Sequence, residues 1–360
     1  MLDLSNKEKI IIIRSAYLGD FVVCIPFLQF LYEDLGLYPE NVFIVILNNG
    51  KINPISLLFG NNSEYSKNSK VLNIHKPLIF ISELQKIKKE FNATKIIYLP
   101  FRFERYVSKL KKLFIIKISI GFLIPTLGFK SDNTKYNISQ YFHLFDYFGV
   151  EFNKHFKLRL PIIEENVLHN YKKKGKLLIA LYPNSKLKMK IWSIENYREL
   201  IENILKLYDV QILIVGSQED YLYNEKLKDS FQENENVVNI AGKYNIAETI
   251  NIFKEVDVLI GNDGFPLHLA ALANTPILGI YTYKNPIGCW DPIISDKIVT
   301  IRTLVTCKEC YKSECGNPVC ITNIFVTDVL EQFEYILKNH NKSFAKLLIN
   351  QPRKALNWTD

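Results

Sequence analysis

The segment running from Val256 to Leu272, Val-Asp-Val-Leu-Ile-Gly-Asn-Asp-Gly-Phe-Pro-Leu-His-Leu-Ala-Ala-Leu, restricts the fold more than any other part of this sequence. A β-branched run stops at Gly261, Asn262 and Asp263 offer helix-cap chemistry, and apolar residues at helical spacing begin near Phe265. That order predicts a buried strand turning tightly into a helix, the unit from which parallel α/β sheets are built. Pro266 suits the first helical turn, where its missing N–H costs nothing. The unpaired N–H groups and positive dipole end of such a helix favour an anion such as a diphosphate. His268 falls near the same turn. Taken alone, the segment is equally a capped helix with a core histidine.

The same alternation runs through the chain. In the first half the pattern predicts strands at Lys9–Arg14, Asn41–Leu47, Val71–Ile74, Lys95–Leu99 and Ile115–Ile120. Helices are predicted at Asp20–Gly36, Ile81–Phe91, Arg102–Leu113 and Ser139–Phe148. In the second half the predicted strands are Leu177–Tyr182, Val210–Val215, Val237–Ile240, Val256–Ile260 and Pro276–Tyr281. Between them fall predicted helices at Ser193–Tyr208, Tyr221–Phe231, Ile246–Phe253 and Pro266–Ala273, with a last one at Thr327–His340 before a loose polar tail. The 360 residues are comfortable for two domains. The expected organisation is a first domain at 1–160, a charged linker at 161–176, a second domain at 177–325, and a helix and tail at 326–360. Two doubly wound α/β halves would leave a cleft at the carboxyl ends of their strands, where ligands bind.

Charge is distributed unevenly. The net charge is +8, but residues 1–160 hold 22 Lys and Arg against 13 Asp and Glu, whereas residues 161–360 hold 23 against 24. Much of the excess lies between Lys86 and Lys117, with ten basic residues against Glu90 and Glu104. A basic first half suggests an anionic partner: phosphorylated substrate, nucleic acid or acidic membrane surface. Nucleic acid is disfavoured, because no helix-turn-helix, zinc finger or aromatic RNA-binding motif is present. No uninterrupted apolar run is long enough for a transmembrane helix, and Ile10–Ile13 is too short for a signal-peptide core, so a cytoplasmic location is expected.

Four segments at predicted strand ends carry chemistry. In Arg14-Ser-Ala-Tyr-Leu-Gly-Asp20, Gly19 permits a tight turn and Asp20 is either a helix cap or a general base. After Tyr182, Ser185, Lys186, Lys188 and Lys190 precede Trp192, and such lysines suit a pair of phosphates. Glu219 or Asp220, after a third strand, could bind ribose hydroxyls. The fourth is the opening segment.

The order of these pieces resembles glycosyltransferase family 9, the bacterial heptosyltransferases of lipopolysaccharide core assembly. The matching residues are Arg14 with Gly19-Asp20, Lys190-Ile-Trp192, Ala241-Gly-Lys243, and Gly261-Asn-Asp263 through His268 to Ala271. The resemblance implies a GT-B architecture of two Rossmann-like domains facing each other across a cleft, with acceptor on the first and nucleotide sugar on the second. It implies an inverting transfer that needs no metal. By position, Asp20 would deprotonate the acceptor hydroxyl, and Lys190, helped by Ser185 or Lys186, would offset charge on the departing diphosphate. Asp263, Gly264, Phe265, His268 and Lys243 would line the donor site with Glu219 or Asp220, and Arg14, Arg102 and Arg105 the acceptor site. The implied partners are a nucleotide diphosphate sugar such as ADP-heptose and an anionic glycolipid or glycan, with weak docking on the inner membrane face. One departure stands in the signature: most members show Asp-Thr-Gly-Pro where this chain has Asp263-Gly264-Phe265-Pro266. Two other classes fit the same pattern: an inactive nucleotide-sugar-binding assembly protein, and a nucleotide-sugar epimerase of similar two-domain form.

Cys307, Cys310, Cys315 and Cys320 place four of the six cysteines within a short irregular stretch. In a cytoplasmic protein disulfides are disfavoured, so the four are either ligands of a structural zinc or iron site, the reading favoured here, or free thiols; the resemblance implies that such a metal takes no part in catalysis.

Overall fold

Ile10–Ile13 and Leu178–Leu181 are apolar without alternation, and all eight residues are buried. Such strands need cover on both faces, which is the situation of a parallel sheet packed between helices. The computed structural model describes residues 9–15, 21–22, 25, 28, 31–32, 39–48, 53–61, 63–73, 76–99, 171–283, 291–292, 297–305, 307, 314–339 and 346–350. The chain divides into two units, Met1–Ile163 and Glu164–Asp360. Every strand pair in both is parallel.

In the first unit, β1 (Ile10–Ser15), β2 (Val42–Asn48), β3 (Ser69–Asn73) and β4 (Lys95–Leu99) form a sheet of order β3-β2-β1-β4. Two short helices unforeseen in the sequence follow β2: α1 (Pro54–Phe59) and α2 (Glu64–Lys67). Asn53 caps α1 by accepting from the Ile55 N–H at 3.0 Å, and Ser63 caps α2 through the Ser66 N–H at 3.2 Å. Helix α3 (Pro77–Phe91) starts a turn earlier than its apolar periodicity indicated, because Pro77 occupies the first turn. Its Leu84 and Ile87 pack on Ile11, Ile13, Val45, Leu47, Leu72 and Ile96. The elements expected at Arg102–Leu113, Ile115–Ile120 and Ser139–Phe148 lie outside the described residues. Of the helix expected at Asp20–Gly36 only scattered positions are described, and Phe21, Val22, Ile25, Leu28 and Leu31 among them are buried.

The second unit carries a sheet of order β11-β10-β9-β8-β5-β6-β7. Its strands are β5 (Leu177–Tyr182), β6 (Val210–Ile214), β7 (Val237–Asn239), β8 (Val258–Asn262), β9 (Ile277–Ile280), β10 (Ile298–Thr303) and β11 (Lys346–Asn350). Counted from β5, the first six strands follow the 3-2-1-4-5-6 order of a doubly wound fold. The helices are α4 (Ile194–Leu207), α5 (Tyr221–Asp229), α6 (Ile246–Glu255), α7 (Phe265–Leu272), α8 (Val319–Thr322) and α9 (Val326–Lys338). Ser193 caps α4 through the Asn196 N–H at 3.2 Å. β8 runs two residues later than its apolar run suggested, because Val256 is spent as the C-cap of α6. β10 was not foreseen, and the tail read as loose supplies β11, which pairs with β10. No helix among the described residues is long and apolar enough to cross a membrane.

Candidate functional site

In the second sheet the winding reverses between β5 and β8, and this is where doubly wound folds place ligands, at the carboxyl strand ends. The two strands end side by side, with Tyr182 in register with Gly261. α7 starts just beyond, with Gly264 at its N-cap and no side-chain capping bond. Asn262 and Asp263 therefore do not cap α7, contrary to the sequence expectation. Each is drawn away by a longer-range partner. The Asn262 Oδ1 accepts from the Trp192 N–H at 3.2 Å and the Tyr197 hydroxyl at 3.1 Å. The Asp263 carboxylate holds the Lys190 ammonium in an ion pair, with the two side chains only 10% and 12% exposed.

Local sequence explains how Lys190 arrives there. It ends a single turn, Lys188–Lys190, pinned by buried Met189. Trp192, 1% exposed, fixes the following residues by donating its indole N–H to the Ile324 carbonyl at 2.8 Å. The Ser185 hydroxyl donates to the Asp263 carbonyl at 3.2 Å. The fold thus brings Ser185, Lys190, Asp263, Gly264 and Phe265 together at the start of α7. A helix start beside a poorly hydrated ammonium suits a phosphate anion.

His268 is buried. Burial pushes its imidazole below the ordinary range, the Asp263 and Asp291 carboxylates pull back, and Lys190 adds to the depression. It is a neutral imidazole at neutral pH. Residues that the sequence did not single out complete this region. The Arg302 guanidinium pairs with Asp291, stacks 4.4 Å from the Tyr281 ring centre, and donates to the Thr300 hydroxyl at 3.1 Å. An arginine inside the apolar run of β10 was the available signal.

In the loop after β6 the two expected alternatives, Glu219 and Asp220, sit in different surroundings. One oxygen of the Asp220 carboxylate accepts from the Ser217 N–H at 2.7 Å and the Ser217 hydroxyl at 2.9 Å, an internal capping arrangement. Glu219 is exposed beside it. Gly242, with φ of +71°, packs against Gln218, and its N–H donates to the Gly216 carbonyl at 3.0 Å, so the loops after β6 and β7 are joined. Lys186 and Lys243 are exposed. In the first unit, Arg14 is buried at the carboxyl end of β1, in register with Ile46 and Leu99. Asp20, Arg102, Arg105 and Cys310 lie outside the described residues. Cys307 and Cys315 are exposed and Cys320 is half-buried. Among the described residues, no group of three or more His, Cys, Asp or Glu side chains is placed to hold a metal ion.

Residues 129–320 match the model of glycosyltransferase family 9 (heptosyltransferase). The chain is similar to the lipopolysaccharide core heptosyltransferase OpsX of Haemophilus influenzae, 28% identical over 140 residues, which is 39% of each chain. It therefore spans under half the length of that relative. It is also similar to lipooligosaccharide heptosyltransferase 2 of Campylobacter jejuni, 23% identical over 76% of this chain and 84% of that one. In three dimensions it resembles the E. coli ADP-heptose lipopolysaccharide heptosyltransferase II, with a TM-score of 0.61 at 17% identity over 93% of this chain and 100% of that one. That likeness shows a GT-B fold of two Rossmann-like domains. Because the family model matches more than half of its length, this chain belongs to glycosyltransferase family 9.

Proposed function

We propose that this chain is an inverting, metal-independent glycosyltransferase. It moves a heptose-like sugar from a nucleotide diphosphate to an anionic lipopolysaccharide or other cell-surface glycan. The observation that carries this reading is Lys190, held by Asp263 at the start of α7 beside the β5–β8 reversal. As the bond from the sugar to the diphosphate breaks, negative charge builds on the departing phosphate. The Lys190 ammonium and the α7 dipole are preorganised to meet it, so no divalent cation is required at that step. Asp20 takes the proton from the attacking acceptor hydroxyl, whose oxygen displaces the diphosphate from the opposite face and inverts the anomeric carbon. Glu219 binds ribose hydroxyls, leaving Asp220 to shape the loop. Arg14, Arg102 and Arg105 serve the anionic acceptor, and the basic first half favours contact with the inner membrane surface. The family membership and the matched relatives, themselves named heptosyltransferases, support this assignment.

The test is to incubate the purified chain with nucleotide diphosphate sugars and a deacylated lipopolysaccharide core, and to follow nucleoside diphosphate release and product mass. Transfer is expected from one donor class. Asp20→Ala should lower it by more than about 100-fold, the scale of general-base loss, with nucleotide affinity retained. Substantial transfer by that variant would remove Asp20 from its role. A new nucleotide sugar formed without acceptor would instead identify an epimerase, and donor binding without transfer an inactive binding module.

A further inference from the structure

Tyr182 takes no part in the mechanism above, although it sits in the same place. It is the last residue of β5 and only 7% exposed. Its backbone carbonyl accepts from the Tyr197 hydroxyl, but its own hydroxyl makes no hydrogen bond to any described residue. The side chain is buried but its hydroxyl is not sealed off, so the group is open to a bound molecule. The nearby carboxylates are already engaged, Asp263 by Lys190 and Asp220 by Ser217.

The two glycines of the β8–α7 turn show where the ring goes. A Cβ on Gly261 would lie 2.7 Å from the Tyr182 Cβ. A Cβ on Gly264 would lie 2.4 Å from the ring Cε1 and 3.2 Å from the hydroxyl oxygen. The ring therefore crosses Gly261 and ends against the N-cap of α7, in the space a side chain at position 264 would take. Burial, with the Asp220 and Asp263 carboxylates nearby, raises the phenol well above its ordinary range, so it keeps its proton and can only donate to an anion.

We propose that Tyr182 is a donor-site residue whose hydroxyl donates a hydrogen bond to the diphosphate bound at the start of α7. This rests on the donor-site assignment of the preceding section. The phenol supplies from β5 a hydroxyl that residue 264 itself lacks. Tyr182 and Gly264 thus act as one unit: any larger residue at 264 would require a smaller one at 182.

Calorimetric titration with ADP and with adenosine tests this. Tyr182→Phe keeps the ring that fills the turn and loses no internal hydrogen bond, so its unfolding midpoint should match the wild type. Its ADP affinity should fall about tenfold or more, the size of a hydrogen bond to a charged group, while adenosine affinity stays within about twofold. A paired variant, Lys190→Met with Asp263→Asn, leaves no buried unpaired charge and should also lose ADP binding. If that paired variant loses ADP while Tyr182→Phe retains it within about twofold, the Tyr182 proposal fails and the donor site stands. If the wild type binds none of ADP, UDP, GDP or CDP, the donor-site assignment fails and takes this proposal with it.

Discussion

Asp263→Asn separates what the central ion pair does for the fold from what it does for the chemistry. With side chains 10% and 12% exposed, neither charge of the Asp263–Lys190 pair is well hydrated. Removing the carboxylate keeps the shape but strands an ammonium against the start of α7, whose dipole repels it. Breaking a fully buried pair from one side costs about 3–5 kcal/mol. The residual exposure of both groups screens part of that, so the expected loss is about 2–3 kcal/mol. Trp192, Trp290 and Trp358 all fall in the second unit, so intrinsic fluorescence in a urea titration reports on the unit that carries the pair. Lys190→Met should cost a similar amount. The double variant, Lys190→Met with Asp263→Asn, should recover most of either loss, because it removes both charges. A loss below about 0.5 kcal/mol for Asp263→Asn, the scale of an ordinary surface substitution, would refute the claim that the pair is desolvated and mutually dependent. So would a double variant no more stable than the worse single one.

Further outcomes follow from the same region. The His268 imidazole is held below its ordinary pKa, so the unfolded chain takes up that proton more readily than the folded one. Stability is then full above about pH 6.5 and falls as pH drops toward the lower folded value. His268→Gln should flatten the urea midpoint between about pH 7 and 5, and an unchanged slope would exclude His268 as its source. Asp220→Ala should cost about 0.5–2 kcal/mol through its capping contacts, whereas Glu219→Ala should leave stability within about 0.5 kcal/mol and weaken nucleoside binding. The reverse pattern would exchange their roles. Elemental analysis of protein purified without chelator is expected to find zinc or iron bound through Cys307, Cys310, Cys315 and Cys320, and transfer should continue in EDTA. Metal-free protein would remove the cysteine site, and loss of transfer in EDTA would remove the metal-independent chemistry.

What could be read from the sequence was the part encoded by local pattern. The unbroken apolar runs of β1 and β5 specify strands covered on both faces, and Ser193 before an amphipathic run marks the start of α4. β10 escaped because Thr300, Arg302 and Thr303 dilute its apolar character, although all three are buried. Arg302 is held there by Asp291, the Tyr281 ring and the Thr300 hydroxyl, the first two being contacts that no local pattern records. Asn262 and Asp263 have the residue types of a helix cap, yet Trp192, Tyr197 and Lys190 claim their side chains from a loop distant in sequence. The residues that the fold gathers at the start of α7 were thus legible, but the partners their side chains take were not.

The signature at Asp263-Gly264-Phe265-Pro266 shows why that division matters. Within the motif, Gly264 looks like a lost hydroxyl beside a bulky neighbour, which points toward a weakened or altered anion site. The structure relocates the change. Gly264 carries no side chain because the Tyr182 ring occupies its space, with a hydroxyl 3.2 Å from where the missing Cβ would stand. In the sequence Tyr182 is an unremarkable aromatic at a strand end, so half of the exchange is invisible to a motif that begins at residue 261. A substitution confined to either position would break the site sterically or leave a void, whereas the pair together keeps a hydroxyl at the helix start. On the proposed donor-site reading, the departure from the family pattern is a rearrangement that keeps an anion donor at the helix start, and any shift in donor preference belongs to the differing reach and rigidity of a phenol compared with a threonine side chain.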